Sequence, residues 1–266
     1  MQLYYIQFIA FLTLVPPSLL LLRREIKKDF LYFAVIFVSM CGVLLQVYVQ
    51  QSNGWNTGLS AALWLTILAC LLIYIFIINL TDDGWRLTPV LFPYLLLFGF
   101  LAIIWNQVNE HYFLGNIPMA WIGTHIFVSL ATYGFITLAA LAGLAATIQE
   151  RAIRTKIRTK LTRQLPSVAS SEKLLVNLLI ACAILLSIGL VTGIASLYIS
   201  TGYFLAINHK IILVLIVFVI ILFVLFVHFN TGIRGRAAMR YVLLAYLFIT
   251  LAYPGVKFVK DVMLSS

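Results

Sequence analysis

The stretch Ile211-Ile-Leu-Val-Leu-Ile-Val-Phe-Val-Ile-Ile-Leu-Phe-Val-Leu-Phe-Val227 contains no polar side chain and is bracketed by His209-Lys210 and His228. The two histidines are 19 positions apart, roughly 28 Å at 1.5 Å per residue of α-helix. A bilayer's hydrocarbon core is about 30 Å thick, so the stretch matches it and carries polar groups at both rims. Its apolarity is continuous rather than alternating, which argues against a barrel strand. In hydrocarbon every backbone N–H and C=O must be satisfied within the protein, and a helix does this within one segment.

Seven further runs of this kind occupy most of the chain. The expected spans are residues 3–22, 30–49, 59–79, 88–105, 121–148, 173–199, 209–229 and 238–258. Of 266 residues, 63% are hydrophobic and 10% are charged, against roughly 45–50% and about 25% in a soluble domain. A soluble globular protein is excluded, and so is disorder, which needs low hydrophobicity and high charge. The expected fold is an all-α polytopic membrane protein with about eight transmembrane helices. Residues 1–58 would form two N-terminal spans and residues 59–266 the main transmembrane domain. The first run lacks a basic start and is too long for a signal-peptide core, so no cleavage is expected. Pro16-Pro17 within it should kink the helix.

Basic residues set the orientation. In an eight-span arrangement, fifteen Lys and Arg fall on one side, in the loops after spans one, three, five and seven, against Lys210, Lys257 and Lys260 on the other. Both termini are therefore expected on the outer, periplasmic side of a bacterial inner (cytoplasmic) membrane. The main basic stretch, Glu150 to Arg163, continues span five and should project beyond the bilayer. Topological bias explains its six cations, with attraction to anionic headgroups. Membrane lipid is the expected partner and nucleic acid is not.

Few residues are left to carry chemistry. Cys41, Cys70 and Cys182 lie apart in apolar runs with no C-x-x-C, which removes thioredoxin-like redox chemistry and covalent c-type haem attachment. All three read as small buried hydrophobes. Asp82-Asp83 reads as a solvated turn. No phosphate loop, intramembrane carboxylate pair or nucleophile elbow is present, so enzymatic turnover is not expected.

The four histidines are the exception, because an ionisable group within a membrane is costly and marks function by default. His125 enters span five near its outer end, with Ser129 about 40° and Thr132 about 20° away around the helix, a polar stripe that should face other helices. It reads either as an interhelical hydrogen bond or as a ligand. His209 opens span seven at the same outer level, as an interfacial helix start or a ligand. His228 closes span seven on the cytoplasmic side, and His111 lies in an outer loop. Being roughly 28 Å apart, His209 and His228 cannot share one iron. His125 and His209, on different helices at similar depth, can flank a flat macrocycle. Trp121, Tyr203 and Phe204 flank these two histidines, either as part of an interfacial aromatic belt or as an apolar shelf for haem.

The stretch Trp121-Ile-Gly-Thr-His125-Ile-Phe-Val-Ser129-Leu-Ala-Thr-Tyr133 resembles the start of the cytochrome c assembly domain shared by CcsA, CcmC and HemX-like proteins. Asn208-His209-Lys210, Gly232-Ile-Arg234-Gly235-Arg236-Ala237-Ala238 and Tyr253-Pro-Gly255-Val256 resemble its second half. Order and spacing follow the HemX/YpjD-like branch of eight-span inner-membrane proteins, over about residues 60–260. His125 matches the family's first external histidine, and His228 stands near a membrane histidine of CcsA. The resemblance implies haem handling in cytochrome c biogenesis, with non-covalent haem b as cofactor. It also implies other cytochrome c maturation or haem-biosynthesis membrane proteins as partners. The tryptophan-rich segment W-G-x-x-W-x-W-D of CcsA and CcmC is replaced by Thr201-Gly-Tyr203-Phe204-Leu-Ala-Ile-Asn208, and no histidine follows Gly255-Val256. Delivery, retention or regulation of haem is therefore expected, rather than its attachment to apocytochrome by this chain. The rival is an accessory membrane protein that has lost haem chemistry and modulates a transporter or biosynthetic partner. A small-solute transporter is a third option, weakened by the lack of an inverted repeat.

Overall fold

The computed structural model describes residues 2–20, 28–52, 54, 56, 58–105, 119–202, 209–231, 236–255 and 258. Among them the chain forms helices α1 (Gln2–Leu19), α2 (Phe30–Gln51), α3 (Leu59–Leu80), α4 (Thr88–Ile104), α5 (Met119–Thr155), α6 (Lys160–Gln164), α7 (Val168–Thr201), α8 (His209–Thr231) and α9 (Arg236–Thr250). Among the described residues seven helical segments are long and apolar enough to cross a membrane, and Tyr5–Leu19 is a shorter apolar helix. This all-helical architecture agrees with about eight spans; spans six, seven and eight are α7, α8 and α9.

Local chemistry sets several boundaries. The Asp29 side chain accepts from the Tyr32 amide and caps α2, satisfying a donor that the first turn leaves unpaired. Ser167 caps α7 in the same way, and Gly202 ends it in the left-handed region at φ 75°, where lack of a Cβ removes the steric cost. Pro16 and Pro17 fall in the last turn of α1, which stops at Leu19. Beyond α9 the backbone widens into a π turn, Leu251–Gly255, that contains Pro254.

Helix α5 has 37 residues, about 56 Å at 1.5 Å per residue, so it outruns the hydrocarbon core as expected. Its inner end is folded over by α6. The Gln149 amide donates to the carbonyls of Thr162 (2.7 Å), Leu165 (3.2 Å) and Pro166 (3.2 Å). Lys156 turns the chain at φ 57°.

Packing follows the small residues. Helix α5 lies along α7 as the most extensive pair, α3 bridges α4 and α5, and the main neighbours of α8 are α9 and α7. A Cβ on Gly134 would meet the tip of the Ile73 side chain at 2.5 Å, so glycine on α5 makes room for that side chain of α3. Ala139, Ala142 and Ala145 on α5 are fully buried, the small-residue seam that close helix approach requires.

Polar contacts gather the inner loops at one end. Lys28 Nζ donates to the Ile78 carbonyl at 3.0 Å, and the Ser170 hydroxyl donates to Asp83 at 2.6 Å. The loops after spans one, three and five thus share a side. Asp83 is accordingly more than a solvated turn: it also pairs with Arg86 at 3.5 Å and ties the α3–α4 connection to the start of α7. Cys70 and Cys182 are buried as expected, but Cys41 is exposed. It departs from the expectation because α2 buries the face carrying Ile36, Ser39, Met40 and Val43 and turns Cys41 outward.

Hydroxyls knit the bundle deeper in. Tyr32 and Tyr74 meet at 2.6 Å, and Tyr74 meets Thr88 at 2.6 Å. The Tyr246 hydroxyl on α9 donates to Tyr94 on α4 at 2.8 Å, and Tyr133 on α5 meets Thr250 at 3.2 Å.

Candidate functional site

The seam between the outer ends of α5 and α7 holds the intramembrane histidine. His125 lies six residues into α5, half-buried. Its Nδ1 is 3.1 Å from the Thr192 hydroxyl on α7. The Thr192 hydroxyl also lies 3.0 Å from the Ile188 carbonyl and 3.1 Å from the Gly189 carbonyl. Carbonyls only accept, so the single hydroxyl proton goes either to one of them or to the imidazole, according to the ring's tautomer. Gly193 supplies the floor: a Cβ there would be 3.0 Å from the His125 Cε1.

The rest of the polar stripe divides between two tasks. Thr132 is buried; its hydroxyl donates to the Val128 carbonyl at 2.8 Å, and its own carbonyl accepts from the Cys182 thiol at 3.7 Å. Ser129 stays half-buried. On α7, one turn outward of Thr192, the buried Ser196 hydroxyl has no hydrogen-bond partner among the described residues.

The remaining expected residues are distributed as follows. Trp121 is on the first turn of α5 with 38% exposure, open to the outer rim. His209 is the first residue of α8; its side chain lies outside the described residues. Tyr203, Phe204 and His111 also fall outside them. His228 sits in the last turn of α8, at the far end from His209, with its ring edge-on to Phe229 at 5.4 Å. Among the described residues the geometry therefore joins His125 to α7, not to His228.

Thr192 and Gly193 escaped the sequence reading. A threonine in an apolar helix carries no signal by itself, and a glycine there marks at most a close helix approach. Their importance comes from register: α5 and α7 run antiparallel, which sets Thr192 opposite His125 and Gly189 opposite Val128.

Comparisons with known proteins give the family. Residues 29–264 match the family model described as Cytochrome C assembly protein. The chain is 46% identical over 233 residues to the "Uncharacterized 28.8 kDa protein in nifR3-like 5'region" of Azospirillum brasilense, covering 88% of this chain and 86% of that one. It is 22% identical over 256 residues to the inner membrane protein YpjD of Escherichia coli K12, covering 95% and 94%.

Proposed function

The chain belongs to the cytochrome c assembly protein family, and from that premise we propose that it binds haem b non-covalently at the outer ends of α5 and α8. In this reading His125 and His209 would ligate its iron, and Trp121, Tyr203 and Phe204 would form the apolar shelf. The protein delivers, retains or regulates haem within the bacterial inner membrane and works beside other haem-handling membrane proteins.

One observation carries the reading: the anchored imidazole of His125. Iron-ligating histidines have their second ring nitrogen held by a hydrogen bond, which fixes orientation and tautomer. Here Nδ1 meets Thr192 at 3.1 Å, inside the stretch that resembles the family's external-histidine motif. The half-buried ring, a small-residue floor at Gly193 and an exposed indole at Trp121 suit the edge of a flat apolar macrocycle. Haem would supply a redox-active iron there. The chain's own residues hold and orient it, and the bundle excludes water from its inner edge.

The same hydrogen bond supports a second reading, an accessory protein in which His125 serves only to join α5 to α7. An absorption spectrum of the purified protein separates the two. A Soret band at near-stoichiometric haem is expected. Its absence even after haem is added would leave the accessory reading.

A further inference from the structure

We propose that Thr192 is a positioning residue that holds His125 in the Nδ1–H tautomer and leaves Nε2 as the ring's only available lone pair. The functional meaning of this rests on the haem-binding reading; the tautomer itself does not.

The Thr192 hydroxyl has one proton and three neighbours: the Ile188 carbonyl at 3.0 Å, the Gly189 carbonyl at 3.1 Å and the His125 Nδ1 at 3.1 Å. Two of those neighbours cannot donate. A hydroxyl that returns its proton to the carbonyls three and four residues earlier is a common state of threonine in a helix. The contact with the ring then forms only if Nδ1 carries the hydrogen. A neutral imidazole has one N–H, so Nε2 is left as an acceptor. The tautomer of a histidine is set in this way by the bond its other nitrogen makes.

Packing keeps the ring from escaping the arrangement. Gly193 brings the α7 backbone close enough that even a methyl would press on the imidazole at Cε1. A half-turn of the ring about χ2 would put Cδ2 where Nδ1 stands and lose the bond to Thr192. Thr192 is itself buried, so no water competes freely for its lone pairs. A loose, solvated histidine would sample both tautomers. This one is held in the form that offers Nε2 to a metal.

The test begins with haem-free protein carrying 15N-histidine, purified in detergent at a pH of about 8.5, where an ordinary imidazole is neutral. Long-range proton–nitrogen correlation distinguishes the tautomers, and the His125 signals are those missing from His125→Gln. Wild type and Thr192→Ser are expected to show the Nδ1–H pattern. Thr192→Val, which keeps the shape and removes the oxygen, is expected to shift His125 toward the Nε2–H form. An Nε2–H pattern in the wild type would overturn the proposal, and so would a Thr192→Val spectrum identical to wild type. Haem titration is the second readout. Thr192→Val should weaken affinity about 10-fold or more, in the range lost when a ligand's supporting partner is removed, while Thr192→Ser stays near wild type. Equal affinity in wild type and Thr192→Val would remove the positioning role. If wild type binds no haem at all, the haem reading fails, and the nitrogen spectra still decide the tautomer.

Discussion

Gly193 lies against the His125 ring across the α5–α7 seam: a Cβ built on Gly193 would stand 3.0 Å from the His125 Cε1. Gly189, one turn away on the same helix, has more room, since its Cβ would meet Val128 at 3.6 Å, an ordinary van der Waals separation. Two glycines with one spacing therefore do different things. Gly189 tolerates a side chain, whereas Gly193 fits the imidazole.

Substitution should separate them. Gly189→Ala is expected to leave stability and haem content near wild type, helped by the higher helix propensity of alanine. Gly193→Val forces overpacking against a ring already held by Thr192, a cost of about 1–3 kcal/mol. Haem per protein and the thermal midpoint in detergent should both fall for Gly193→Val. Equal behaviour of the two variants would show that the ring does not depend on the glycine floor.

The Tyr246–Tyr94 bond joins residues 152 positions apart at 2.8 Å and fastens α9 to α4. Interhelical hydrogen bonds in membranes contribute about 0.6 kcal/mol on average and up to about 1.7. Tyr94→Phe and Tyr246→Phe should each destabilise by an amount in that range. The double variant should cost little more than either single one, since both remove the same bond. Fully additive losses in a double-mutant cycle would mean that the hydroxyls act separately.

Gln149 holds the folded-over inner end of α5 through three carbonyls of the α6 segment. Gln149→Met keeps the length and removes the donors. Losing one or two such bonds costs about 1–3 kcal/mol locally, enough to raise opening of the segment roughly five-fold or more. Limited trypsin digestion of inside-out vesicles should then cleave faster at Arg158 and Lys160, both exposed. An unchanged cleavage rate would assign the fold of this segment to the Thr159 capping box instead.

Hydropathy made the spans legible because each helix must be apolar along its whole length to cross lipid, whatever its neighbours. It could not supply pairing. That Thr192 faces His125, that Ser170 reaches Asp83 and that Tyr246 reaches Tyr94 depend on helix register, and no one-helix periodicity encodes register. Cys41 shows the same limit in reverse. In a helix apolar all round, burial and lipid exposure have one sequence signature, and only packing divides them. His125 was readable because its cost in hydrocarbon is high enough to demand a reason; Thr192 was not, because a threonine satisfies itself on its own helix.

Topology gives a prediction independent of haem. The bias of fifteen basic residues against three puts the loops at 106–120 and 200–208 outside and the 156–167 turn inside. Contacts of Lys28 with Ile78 and of Asp83 with Ser170 make the inner loops one group, so they must share a compartment. Periplasm-dependent reporter fusions should be active after Asn116 and at Ser266, and inactive after Lys156. Activity after Lys156 would invert the arrangement. A silent fusion at Ser266 would break the eight-span count.

The axial pair gives the sharpest test of function. If His125 and His209 hold one iron, the reduced spectrum should be six-coordinate and low-spin. His125→Ala and His209→Ala should each lower haem content or convert it to a high-spin form, and added imidazole should partly restore the spectrum by occupying the freed position. The two variants should also differ in stability. His125→Ala removes a bond between α5 and α7 and should lower the thermal midpoint even in haem-free protein. His209 opens α8, and its loss should act through the bound group. His228→Ala should do neither, because it lies roughly 28 Å along α8 from His209 at 1.5 Å per residue. Loss of haem in His228→Ala, with retention in His209→Ala, would move the site to the cytoplasmic half of the bundle.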